Sequence, residues 1–168
     1  MSDQLVQVMQ ALTSVHERFN EQAAKKEKAI QQGDMPELDA IMKAESPLIQ
    51  QLRKLENTRM YLVQEWMREN GVVKENITMD QLLPMFPGEQ RGELQYWAER
   101  LMDEIGKLRE RNERNQLLLQ DSLKFVNMSL DAMTEDNRSF AGYSDTGSAD
   151  NETGLADGPG RSLFDSKA

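Results

Sequence analysis

Cysteine is absent from the 168 residues of this chain, which excludes disulfides, thiolate metal sites and thiol nucleophiles and is compatible with a reducing compartment. Histidine occurs once, at His16, beside an apolar stripe and without a second histidine or carboxylates at ligand spacing. It reads as a boundary residue rather than a metal ligand or a catalytic base. Aromatic residues make up only 6% of the chain against 29% charged residues, and the mean hydropathy is -0.71. Such a composition suits an elongated helical protein with a thin core better than a compact enzyme around a deep pocket. No window approaches the roughly 18 apolar residues of a membrane span, and the N-terminus lacks a basic and apolar leader, so no membrane insertion is expected. Positive charge is also short: a net charge of -9 opposes binding to nucleic acid. No strand pattern and no glycine-rich phosphate loop is present, which removes the nucleotide-binding folds. No catalytic, cofactor-binding or metal-ligating constellation is left, and the chain is not expected to be an enzyme.

What the chain has in quantity is helical periodicity. Leu5, Val8, Leu12, Val15 and Phe19 step by three and four, the spacing of a coiled-coil-like seam. The first helix is expected over about residues 2–32, with Gln22 and Lys26 at weaker seam positions. Gly33 and Asp34 interrupt it, glycine as a C-terminal cap and Asp34 with Glu37 and Pro36 as an N-terminal one. A connection this short calls for a reversed neighbour. The second helix, about residues 35–70, repeats the spacing through Leu38, Ile41, Leu48, Leu52, Leu55, Leu62 and Trp66, interrupted at Glu45 and Arg59. Pro47 predicts a kink in a continuous helix. Thr78 and Gln81 suggest a capping box opening a short helical turn in the connector, with a third long helix over about residues 89–133.

The third helix carries the least ordinary pattern. At roughly 100° per residue, a core stripe through Leu94, Trp97, Leu101, Ile105 and Leu108 continues into Leu119, Leu123, Val126, Leu130 and Met133. Leu117, Leu118, Phe125 and Met128 add a second apolar face with almost no counterpart upstream. That surplus predicts a partner, with Met133 at its edge and the adaptable methionines suited to helical ligands. Asn112 and Asn115 fall on the core stripe and either fix register or face the partner. From Thr134 the composition turns acidic and glycine-rich, with five glycines, seven acids and three bases in the last 35 residues, the makeup of a disordered tail. Tyr143, Leu163 and Phe164 are its candidate docking residues. The expectation is an all-α, elongated, antiparallel coiled-coil-like bundle of three long helices, a short helical turn in the second connector, and a flexible tail. The bundle is expected over residues 1–133 and the tail over 134–168.

The order of these elements, with Gly33-Asp34, a Leu38-containing second helix, a long connector, and a third helix bearing Asn112, Asn115, Leu118, Leu119, Leu123 and Phe125 before Tyr143 and Gly147, resembles the FlgN-like flagellar export chaperones. The likeness covers about residues 5–147. It implies a cytoplasmic bacterial protein that binds the helical C-terminal segments of hook-associated, hook–filament junction proteins. Such a chaperone keeps its cargo unassembled and delivers it to the type III export apparatus, without a cofactor. Read from the residues alone, the surplus face could equally close a homodimer of a structural or adaptor protein.

Overall fold

In the computed structural model, the described residues are 2–143, with side-chain surroundings through residue 135. They are helical apart from residues 33–34, 70–78 and 86–87: α1 (Ser2–Gln32), α2 (Met35–Glu69), α3 (Met79–Leu82), a 3-10 turn (Leu83–Met85) and α4 (Gly88–Tyr143). The chain divides into two units, Met1–Val126 and Asn127–Ala168.

In the first unit α1 and α2 form a helical hairpin around a two-residue reversal. Gly33 has φ 67°, the left-handed conformation that a residue with a Cβ adopts only at a steric penalty. The Gly33 and Asp34 amides donate to the carbonyls of Ile30 (3.1 Å) and Ala29 (2.9 Å), which closes α1 with the paired bonds of a Schellman cap. Asp34 then opens α2, its Oδ1 accepting from the Glu37 amide at 3.1 Å, with Pro36 in the first turn. One residue pair therefore satisfies backbone groups at both helix ends. The other end of α2 uses the same device: Gly71 (φ 66°) follows Asn70, and the Val72 amide reaches the Met67 carbonyl at 2.9 Å. Between these ends α2 is unbroken through Pro47.

The connector departs from its expected capping. Thr78 makes no side-chain cap; its carbonyl instead accepts from the amides of Gln81 and Leu82 at 3.1 and 3.0 Å. The short helix is held by burial, since Leu82 and Phe86 are almost fully covered, and Phe86 stacks on Trp66 with ring centroids 4.4 Å apart. Arg91 donates to the carbonyls of Pro84 (2.7 Å) and Phe86 (3.3 Å), tying the turn to the start of α4.

Two hydrophobic clusters fill the core. The larger joins Leu5, Val6, Met9 and Leu12 of α1 to Leu62, Val63 and Met67 of α2, Leu82 and Phe86 of the connector, and Leu94, Ala98 and Leu101 of α4. The smaller lies beside the reversal: Ala29, Ile30, Leu38 and Ile41, with Leu118 and Leu119 of α4 packed on it. Between them, contacts from α1 to α4 climb in step along both helices. Glu17 meets Arg100 at 2.6 Å, Asn20 meets Glu104, and Glu27 meets Arg114 at 3.7 Å. Two of the expected seam interruptions also meet, as Lys26 and Glu45 form an ion pair at 2.6 Å between α1 and α2.

The second unit is described through the helical residues 127–143 of α4. The helix thus runs past the expected end near Met133. The reason is local: no glycine or proline occurs between Met133 and Gly142, so the helix-breaking composition belongs to the later tail. Residues 144–168, with Leu163 and Phe164, lie outside the described residues, as does the side chain of Tyr143.

The reversal is testable by denaturant unfolding. Asp34→Ala should lower stability by about 1 kcal/mol. Gly33→Ala, where an added Cβ meets nothing within 4 Å, should lower it by roughly 1–2 kcal/mol through backbone strain alone. Equal stability of Gly33→Ala and wild type would refute that account.

Candidate partner-binding surface

The inward line of α4 in the first unit is Leu94, Ala98, Leu101, Glu104, Leu108, Arg111, Asn115, Leu118 and Ser122, each buried or half-buried. Its steps average three and a half residues, as a helix packed in a coiled-coil-like seam requires. This line differs by one residue from the apolar stripe read in the sequence. Ile105, expected inside, is 37% exposed, whereas Glu104 is 9% exposed. A buried carboxylate is tolerable only with donors around it. Here the Asn20 Nδ2 donates to both the Glu104 carbonyl (2.9 Å) and its Oε2 (2.8 Å), and Lys107 reaches Oε1 at 3.3 Å.

The two asparagines separate. Asn115 is buried, and its Nδ2 donates to the Ala23 carbonyl of α1 at 2.9 Å; a shift of α4 along α1 would break that bond, so this amide sets register. Asn112 is not on the core line. It is exposed and borders a shallow groove with Ile105, Leu108 and Arg109. The same one-residue offset displaced it. His16 also differs from expectation: it is buried in α1 rather than at a boundary, its Nδ1 has no hydrogen-bond partner, and burial lowers its pKa below the usual 6.5 against the opposing pull of Glu56 and Glu104.

The expected binding residues divide in the same way. Leu118, expected on the surplus face, is half-buried in the smaller cluster with Leu119, because the reversal brings Ile30 and Leu38 against that turn of α4. Leu117 and Phe125 are exposed, 61% and 72%. Leu123 and Val126, expected to continue the core stripe, are exposed as well, 62% and 50%. The sequence reading missed both as surface. The signal lay in chain length: α1 and α2 turn at Gly33–Asp34, so no core position is available to α4 residues beyond the Leu118–Ser122 turn. In the second unit, taken by itself, Met128, Leu130 and Met133 are exposed. Among the described residues no group of three or more acidic or histidine side chains could hold a metal ion, and no helix is long and apolar enough to cross a membrane.

A family model described as FlgN protein matches residues 1–151. The chain is also 27% identical to a protein of Bacillus subtilis (strain 168) described as uncharacterized protein YvyG, over 164 residues that make up 98% of this chain and 97% of that protein. No solved structure matches.

Two measurements test the polar core. Asn20→Leu strips the buried Glu104 of its main donor and should cost about 2 kcal/mol. Asn115→Leu, which removes an amide whose Oδ1 has no partner, should be neutral or stabilising by up to about 1 kcal/mol, and Asn112→Leu should change stability by less than about 0.5 kcal/mol. A larger loss at Asn115 than at Asn20 would reverse the assignment. Because the folded protein resists protonating His16 while the unfolded chain does not, stability is complete above pH 6.5 and declines as the pH falls through that value toward the lowered folded pKa. Melting between pH 7.5 and 5.5 should show this decline in wild type and a smaller one in His16→Gln; parallel curves would exclude it.

Proposed function

As the chain belongs to the FlgN family, whose members are flagellar export chaperones, we propose that it binds the helical C-terminal segments of hook-associated proteins, keeps them unassembled, and hands them to the type III export apparatus in the cytoplasm. The fold that serves this is an antiparallel coiled-coil-like bundle of three long helices. The observation that carries the reading is the exposed apolar surface at the end of α4 in the first unit: Leu117, Leu123, Phe125 and Val126, between 50% and 72% exposed.

An amphipathic helix laid on such a surface buries its apolar side without any chemistry. Each large side chain it covers contributes up to about 1.5–3 kcal/mol, offset by about 2–5 kcal/mol for ordering a flexible segment. The acidic and basic residues between these positions, such as Asp121 and Lys124, leave polar groups to fix orientation. Leu118 acts from beneath, holding the turn of α4 that presents Leu117. Met128 and Met133 of the second unit are further candidates for cargo contact, and Tyr143, Leu163 and Phe164 for docking to export components.

A second reading rests on the same exposure. With apolar residues on more than one side of the helix after Ser122, two copies could pair through α4, and cargo would then displace that pairing.

Leu117→Asp with Phe125→Asp should weaken binding to a purified hook-associated protein by at least about tenfold, measured by calorimetry, while circular dichroism stays that of wild type. Unchanged affinity would show the wrong surface has been chosen. Light scattering of wild type and the double variant decides the second reading: a stable dimer lost in the variant would support it.

A further inference from the structure

Of the nine asparagines in the chain, one precedes a glycine: Asn70, followed by Gly71. The pair lies where α2 ends, and both residues are exposed. Asparagine before glycine is the order in which a side-chain amide is most open to attack by the next backbone nitrogen, because glycine has no Cβ to shield that nitrogen and allows backbone conformations closed to other residues. The surroundings add no shield either, since a Cβ built on Gly71 meets nothing within 4 Å.

Three restraints keep the pair apart in the folded chain. The Asn70 Nδ2 donates to the Trp66 carbonyl at 2.8 Å, which holds the side chain back along α2. The Gly71 amide donates to the Arg68 carbonyl at 3.3 Å, at the long end of the hydrogen-bond range. The Asn70 backbone has ψ 7°, which turns the Gly71 nitrogen away from the side chain, whereas ring closure needs that nitrogen rotated toward Cβ. All three restraints belong to the last turn of α2. The carbonyls there have no further donors from the helix itself, and such ends open locally while the rest of the molecule stays folded.

We propose that Asn70 and Gly71 form a site of spontaneous backbone modification, deamidation through a cyclic imide, gated by opening of the last turn of α2. In the open turn the Gly71 nitrogen attacks the Asn70 Cγ: the N–Cγ bond forms, the Cγ–Nδ2 bond breaks, and the proton lost from the Gly71 nitrogen leaves with Nδ2 as ammonia. One water then opens the ring. Addition at Cγ gives aspartate at this position; addition at the main-chain carbonyl carbon gives isoaspartate, in which the backbone runs through Cγ. Either product removes the side-chain donor to the Trp66 carbonyl and sets a carboxylate at the negative end of the helix dipole. Isoaspartate also lengthens the main chain by one carbon, which displaces the Gly71 and Val72 amides from the Arg68 and Met67 carbonyls that they cap. Because the ammonia is lost to solvent, the cap does not re-form. The end of α2 that carries Trp66 is where this chain changes with age.

The test holds the full-length protein at physiological temperature for days and follows each asparagine by site-resolved mass spectrometry. Asn70 should convert before the other eight, to both aspartate and isoaspartate. Gly71→Ala should suppress the conversion, even though a Cβ at φ 66° strains and loosens the turn; a change that acted only through loosening would accelerate it. In guanidinium chloride above the unfolding midpoint, Asn70 of the wild type should convert severalfold faster than in the folded protein, since no opening step is then required. Asn70→Asp, which builds in one of the products, should unfold at a lower denaturant concentration than wild type. Earlier conversion at another asparagine, or an undiminished rate in Gly71→Ala, would overturn the proposal. Equal rates in the folded and unfolded chain would overturn the gating by α2, and an unchanged midpoint in Asn70→Asp would overturn the consequence for its cap.

Discussion

The two-residue reversal at Gly33–Asp34 is the constraint on which the rest of the first unit depends. It ends α1 and begins α2 with one set of backbone bonds, so both helices stop at the same level. The small cluster of Ala29, Ile30, Leu38 and Ile41 forms there and receives Leu118 and Leu119. Within the first unit α4 runs on to Val126, beyond the turn of Leu118 and Leu119 that packs on the hairpin tip. Leu123, Phe125 and Val126 are exposed for that reason, and not because the sequence there stops resembling a core. An exposed apolar surface thus arises where α4 outlasts the hairpin tip, without any special motif.

Between the two apolar clusters, buried Val15, Phe19 and Ala23 are interspersed with polar contacts, and these are directional in a way that hydrophobic burial is not. Asn20 reads the backbone and the carboxylate of Glu104 together, Asn115 reads the carbonyl of Ala23, and Lys26 answers Glu45. Leucines tolerate a slide of one helix past another with modest loss; these bonds do not. The bonds of Asn20 and Asn115 hold α4 at the height that leaves Leu123, Phe125 and Val126 exposed, which connects the polar middle of the unit to its apolar end.

Much of this was legible in the residues. The spacing of apolar positions predicted all-α architecture, and the Gly33-Asp34-Pro36-Glu37 arrangement predicted the reversal because capping chemistry is local. The family resemblance also appeared in the order of elements, and the family match agrees with it. The inward face of α4 was harder. Ile105 is more apolar than Glu104, so periodicity alone places the isoleucine inside; only the donors of Asn20, 84 positions earlier, make the glutamate acceptable there. The same distance defeats any local reading of Leu118 and Leu123, whose different exposures depend on where α1 and α2 end.

The two clusters are unequal, and that inequality bears on motion. At one end Trp66 and Phe86 stack above a core drawn from every element of the first unit; at the other, four small or aliphatic residues hold the hairpin tip to α4. Local opening is easiest where the least apolar area must be exposed, so of the two clusters the hairpin tip is the one whose amide protons exchange sooner. Both tryptophans belong to the larger cluster, and tryptophan fluorescence is therefore blind to such opening. The hairpin tip can therefore loosen while tryptophan fluorescence still reports an intact fold.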